Sequence, residues 1–194
     1  MTQRSPRTTT VESWSERRAL RVTGVSPEES MADVETQADP RALVAALADP
    51  GLRNAAFAAL VALGPSARDA VRGGLGDGRW EVRRWCVYWF ARFAEPGDLE
   101  ALAPLVRDPK SRVRHGALVA VAHAKGAAER SDVIPLLLER ACDDESLRVR
   151  RAAVLLLAWD LAHPDLAGFF RGLLETESDA KLCHYARIGI ARSC

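Results

Sequence analysis

A metal centre or a thiol nucleophile in this chain would have to be built from four histidines, His115, His123, His163 and His184, and four cysteines, Cys86, Cys142, Cys183 and Cys194. Their spacing argues against both. No Cys-x-x-Cys, His-x-x-x-His or His-Glu-x-x-His occurs, and these are the spacings that set two ligands on one turn or one helix face. Cys86 sits among apolar neighbours and reads as a small core residue, whereas the terminal Cys194 reads as a reactive thiol. The run Gly73-Gly74-Leu75-Gly76-Asp77-Gly78 lacks the Lys-Ser/Thr of a phosphate loop and reads as a flexible turn. The carboxylates show no pairing that predicts general acid–base work. No catalytic residue, metal or cofactor is therefore assigned. What remains is recognition chemistry: arginine and histidine interleaved with aromatic and aliphatic residues. Arginine offers a planar fork for carboxylate or phosphate, and aromatic rings offer a stacking surface.

Composition narrows the partners. The chain has 194 residues, 48% hydrophobic and 27% charged, enough for a packed core. Its formal net charge of +1 gives no global drive toward nucleic acid or an anionic membrane. The bases are nearly all arginine, the lysines being Lys110, Lys125 and Lys181. No apolar run reaches the roughly 18 residues needed to span a bilayer. Without a secretory signal or paired cysteines, a reducing cytoplasm is the expected setting.

Residues 1–38 read as an acidic, partly disordered leader with a short helix starting at Ser26-Pro27. From Asp39 a two-helix rhythm begins. Asp, Pro and Gly mark the turns, and the second helices are expected at 52–63, 82–93, 113–124, 149–161 and 182–192. The residue after the first apolar position of each second helix is Arg53, Arg83, Arg114, Arg150 and Cys183. These lie 30, 31, 36 and 33 residues apart. Such a period with two helices per unit predicts an all-α fold, a right-handed α-solenoid of about five helical hairpins over residues 39–194.

Two stretches carry a resemblance. Asp108-Pro109-Lys110-Ser111-Arg112-Val113-Arg114-His115-Gly116-Ala117 and Asp144-Glu145-Ser146-Leu147-Arg148-Val149-Arg150-Arg151-Ala152-Ala153 are similar to the Asp-Pro-x-x-x-Val-Arg-x-x-Ala core of HEAT repeats. The closest form is the short bacterial one called PBS-lyase HEAT-like. Cys183 departs from the pattern, standing where arginine is expected, which suits a terminal capping repeat. The resemblance implies a scaffold that docks proteins, with second helices lining a concave groove. It also admits two enzymatic readings, a DNA glycosylase for alkylated bases and a bilin lyase.

Counting each second helix from its first apolar residue as position 0, positions 0, 4, 7, 8 and 11 share one face and form the core stripe. Position 1 is a structural ladder, Arg53, Arg83, Arg114 and Arg150, each with an acid a few residues upstream (Asp49, Asp77, Asp108, and Asp143 or Asp144), expected to bond turn carboxylates and carbonyls and to tie neighbouring repeats together. Positions 2, 5, 6 and 10 are expected on the inner surface. From positions 2, 6 and 10 we assign partner binding to Arg84, Tyr88, Arg92, His115, Val119, His123, Arg151, Leu155, Trp159 and His184. An apolar strip beside Arg and His suits another protein's acidic or amphipathic segment, with nucleic acid as the alternative and no membrane role. Histidine at position 2 makes binding pH-sensitive near its ordinary pKa of about 6.5. In the second unit Trp89 and Phe90 read as core, Tyr88 as surface, and Trp85 as either.

Overall fold

The computed structural model describes residues 39–124, 130–161 and 163–193. By internal contacts the chain divides into residues 1–37 and 38–194. The first of these lies outside the described residues, and with it the expected acidic leader and the helix start at Ser26; Cys194 lies outside them too.

Among the described residues every regular element is helical. The first hairpin joins α1 (Pro40–Ala46) to α2 (Arg53–Leu63). The second joins α3 (Arg68–Gly74), entered through a 3₁₀ turn, to α4 (Trp80–Phe93). The third joins α5 (Leu99–Leu102), continued as 3₁₀ through Ala103–Arg107, to α6 (Ser111–His123). The fourth joins α7 (Arg130–Asp143) to α8 (Leu147–Leu156), which runs on as a π turn over Leu157–Leu161. The fifth joins α9 (Ala167–Thr176) to α10 (Ala180–Arg192).

One aspartate shapes each turn in the same way. Asp39, Asp49, Asp77, Asp108, Asp144 and Asp179 each accept, through Oδ1, the backbone N–H two residues on: Arg41, Gly51, Arg79, Lys110, Ser146 and Lys181, at 2.6–3.2 Å. This local turn stops one helix and aims the next. It also leaves lone pairs on the carboxylate for a second partner.

The core lies between first and second helices. Val82, Cys86, Trp89 and Phe90 on α4, and Val149, Ala153 and Leu157 on α8, are fully buried. The Trp89 indole N–H donates to the Leu60 carbonyl at 2.9 Å, joining adjacent hairpins through an otherwise orphaned polar group. Position 5 corrects the sequence reading. Val87, Leu118 and Val154 are fully buried, not on an inner surface. Neighbouring second helices pack close enough to cover them. The expected turn at Gly73–Gly78 begins later, at Leu75. Gly74 is the last residue of α3, and a Cβ there would overlap the Cys86 sulfur and come within 2.8 Å of Val44. Its smallness is needed for close helix packing rather than for flexibility.

Candidate functional site

The ladder residues come first, because they decide which arginines remain available. Arg83 donates from NH1 to the Asp77 carbonyl (2.8 Å), closing its own turn. From Nε and NH2 it grips Asp108 of the next hairpin (2.7 and 3.1 Å). Arg114 repeats this one unit on: NH1 to the Asp108 carbonyl (2.9 Å), and Nε and NH2 to Asp144 (both 2.8 Å). The carboxylate therefore comes from the following repeat, and the upstream aspartate supplies only its carbonyl. Geometry explains this: position 1 points along the solenoid toward the next turn.

The two outer rungs differ. Arg53 donates to the Leu47 and Ala48 carbonyls (2.8 and 2.9 Å), while Asp77 is taken by Arg79. Arg150 donates to the Asp144 carbonyl (3.0 Å), while Asp179 is gripped by Arg151, with Nε at 3.0 Å. Arg151, assigned above to partner binding, is thus held as the rung between the last two hairpins. On the first-helix side Arg68 and Arg72 pair with the buried Asp98, and Arg107 pairs with Glu139.

The buried carboxylates respond to these pairs. Burial pushes Asp144 up, but the Arg114 fork, the Ser146 N–H and the Arg114 and Arg140 charges outweigh it and hold the group below the ordinary range. Asp98 behaves likewise: burial is offset by the Glu95 N–H and by Arg72 and Arg68.

Positions 2, 6 and 10 are spaced four residues apart and share one helix face. On α4 they are Arg84, Tyr88 and Arg92. The Arg84 Nε donates to the Tyr88 hydroxyl (3.1 Å), and its guanidinium lies 5.0 Å from the centre of the Tyr88 ring. Trp85 is half-buried, with its ring centre 4.7 Å from Phe57 and 5.8 Å from Tyr88, so it belongs to an aromatic row crossing α2 and α4. Tyr88 then reaches α6, where a Cβ on Gly116 would stand 3.0 Å from its ring. Arg92 is exposed.

On α6, His115 and Val119 are half-buried and His123 is exposed, its Nδ1 3.4 Å from the Ala91 carbonyl. The His115 Nδ1 is buried and has no hydrogen-bond partner among the described residues. Burial pushes this imidazole below its ordinary pKa, and the charges of Arg148 and Arg84 push the same way. Three bases thus face one place. Among the described residues no carboxylate forms an ion pair with Arg84, Arg92 or Arg148.

On α8, Leu155 is 36% exposed and Trp159 is 53% exposed. The π turn presents Trp159 outward. Arg192 of α10 fixes it, with the guanidinium 4.8 Å from the ring centre and NH2 donating to the Trp159 carbonyl at 3.2 Å. Rigid exposed tryptophan with arginine is a combination suited to an interface anchor. His184 on α10 is exposed, its ring centre 5.9 Å from that of Tyr185. Sequence reasoning passed over Arg148, and it set Arg192 in the position-10 row without assigning it to partner binding. Arg148 sits just before position 0, outside the counted rows, and the role of Arg192 depends on a π turn that no periodicity announces.

Residues 40–122 match the family described as HEAT repeats. No curated protein matches the chain. Among solved structures, the chain is similar to the complex of CpcE and CpcF of phycocyanin lyase from Nostoc sp. PCC7120. That likeness has 19% identity and a TM-score of 0.66, and covers 77% of this chain and 96% of the other. A designed armadillo repeat protein in complex with the peptide (KR)4 is similar at 18% identity and a TM-score of 0.56, over 80% and 82% of the two chains. An engineered protein matches at 16% identity and a TM-score of 0.57, over 79% and 78%. At these identities the likeness is one of fold: a helical repeat solenoid of the HEAT/armadillo kind. Among the described residues no helix is long and apolar enough to cross a membrane, and no three His, Cys, Asp or Glu side chains gather as a metal site.

Proposed function

We propose that the chain is a non-catalytic docking scaffold that holds a segment of another protein against the face made by its second helices. One contrast carries the reading. Arg83, Arg114 and Arg151 are paired with carboxylates across repeats, whereas Arg84, Arg92 and Arg148, on the same second-helix face as exposed Leu155 and Trp159, have no carboxylate partner among the described residues. Unpaired bases next to exposed apolar side chains favour an acidic, amphipathic partner. Two neighbours support the class of role: the phycocyanin lyase structure is a complex of two chains, and the designed armadillo protein holds a peptide. That peptide is basic, and the face here is basic as well, so the partner that fits it is acidic. Nucleic acid of the alkylated-base glycosylase kind is the second reading. It draws on the same arginines with Tyr88 and Trp159, which offer phosphate contacts and stacking.

The test places a photo-crosslinking residue at Val119 and, in a separate variant, at Glu100 on the first-helix side. Crosslinks from position 119 to one protein segment, lost when Trp159→Ala is added, are the expected result. Equal crosslinking from both positions, or nucleic acid alone at position 119, overturns the docking reading.

A further inference from the structure

We infer that the second-helix face reads a bipartite extended segment: two adjacent carboxylates held by Arg84, His115 and Arg148, and an apolar side chain four or five residues away seated on Leu155 and Trp159. This rests on the docking reading above and gives the partner its chemistry.

The anionic end follows from the convergence at His115. Arg84 comes from α4, His115 from α6 and Arg148 from α8, so three hairpins contribute one base each. Tyr88 bridges two of them: its hydroxyl accepts from Arg84, and its ring lies on Gly116, the residue next to His115. Arg84 and His115 are therefore packed together through Tyr88, and the exposed Arg148 adds its charge from the next helix. Bases set together without a carboxylate repel one another, and a ligand bearing one or two negative charges relieves this. The His115 Nδ1 has no hydrogen-bond partner among the described residues.

The apolar end is set by α8. Leu155 and Trp159 are one turn apart on the same face, and Arg192 covers the Trp159 ring on one side. Asp160, exposed next to Trp159, disfavours an acid there, which gives the segment a polarity.

The spacing comes from helix geometry. His115 is at position 2 of α6 and Trp159 at position 10 of α8, and these helices run the same way. Eight helical residues rise about 12 Å and neighbouring axes lie about 9 Å apart, so the two ends are separated by about 15 Å. An extended chain covers about 3.3 Å per residue, which makes the gap four or five residues.

The experiment uses fluorescein-labelled peptides in which Glu-Glu and Leu are separated along a Gly/Ser chain, so that Leu follows the second Glu by one, four, five or ten residues. A Leu-only peptide is the control. Anisotropy is measured against the full-length chain and against Arg84→Ala/Arg148→Ala and Trp159→Ala variants whose helical circular dichroism matches the parent. Spacings of four and five bind at least tenfold more tightly than one, which cannot reach across the gap, and about threefold more tightly than ten, whose longer flexible chain dilutes the second contact. The double arginine variant loses at least fivefold on these peptides, with the Leu-only affinity unchanged. Trp159→Ala weakens both peptide types. Binding that depends on Trp159 but not on spacing or on the two arginines overturns the bipartite inference and leaves the docking reading standing. No measurable binding by any peptide, or binding unmoved by every variant, overturns both.

Discussion

Removing the Arg114 side chain tests whether the ladder joins repeats or merely closes turns. Arg114 and Arg150 occupy the same position of successive repeats. The Arg114 side chain is 6% exposed and forks onto Asp144, which is fully buried; Arg150 reaches a single carbonyl. Arg114→Ala leaves Asp144 charged and buried, with the Ser146 N–H and Arg140 at 3.6 Å as its remaining partners. Breaking a buried pair from one side costs roughly 3–5 kcal/mol, and these partners place the loss near the lower end, about 3 kcal/mol. In a domain of this size that lowers Tm by about 10 °C. Arg150→Ala removes one hydrogen bond, about 1 kcal/mol, and lowers Tm by about 3 °C. The sharper test is a sign reversal. Asp144→Asn keeps the acceptor for Ser146 but removes the charge. It destabilises the parent, which loses the partner of Arg114, and stabilises the Arg114→Ala variant, where the uncompensated charge is gone. Thermal and urea unfolding of the parent, the three single variants and the Arg114→Ala/Asp144→Asn double variant measure this. Equal Tm losses for Arg114→Ala and Arg150→Ala, or no reversal at Asp144, would refute the cross-repeat rung.

Gly189→Ala sets a methyl group against the Phe170 ring, whose Cζ would lie 2.5 Å from the new carbon, and should cost about 1–3 kcal/mol in urea unfolding; a neutral effect contradicts the packing described. Stability against pH should fall in two steps. A neutral His115 disfavoured as imidazolium gives a shallow loss as pH drops below about 6.5, abolished by His115→Gln. The depressed Asp144 and Asp98 hold stability above about pH 4, and it is lost as pH falls through their lower folded values. Affinity for an acidic peptide should rise as pH falls below 6.5, because an anion beside His115 favours its protonated form, and a flat profile would remove His115 from the site. Cys86, buried and pushed up to about 12 by burial and then by Asp77, should resist iodoacetamide in the native protein while exposed Cys142 reacts, read by peptide mass spectrometry.

The repeat architecture was legible in the sequence because it is written in local signals. Asp at each turn, apolar positions at helical spacing and the roughly thirty-residue recurrence of Val-Arg each act within a few residues, and helix formation obeys them. That Trp89 and Phe90 belong to the core also followed from spacing. The site was less legible. Whether Arg150 or Arg151 crosses to Asp179 depends on how α10 enters its repeat, where Cys183 replaces the usual arginine. Whether Val87, Leu118 and Val154 face a groove or a neighbour depends on how closely successive second helices approach, and small residues such as Gly116 decide that approach only once the helices are stacked.

The sequence by itself determined the helices, the turns and the two-helix period, since these rest on residues adjacent in the chain. Tertiary structure alone decided which arginines are free. Arg83, Arg84, Arg148 and Arg151 are chemically identical, and a carboxylate some 25–30 residues away neutralises Arg83 and Arg151 while leaving Arg84 and Arg148 charged. Charge pairing across repeats is a property of stacking, and it is stacking that separates the residues holding this molecule together from those left to meet a partner.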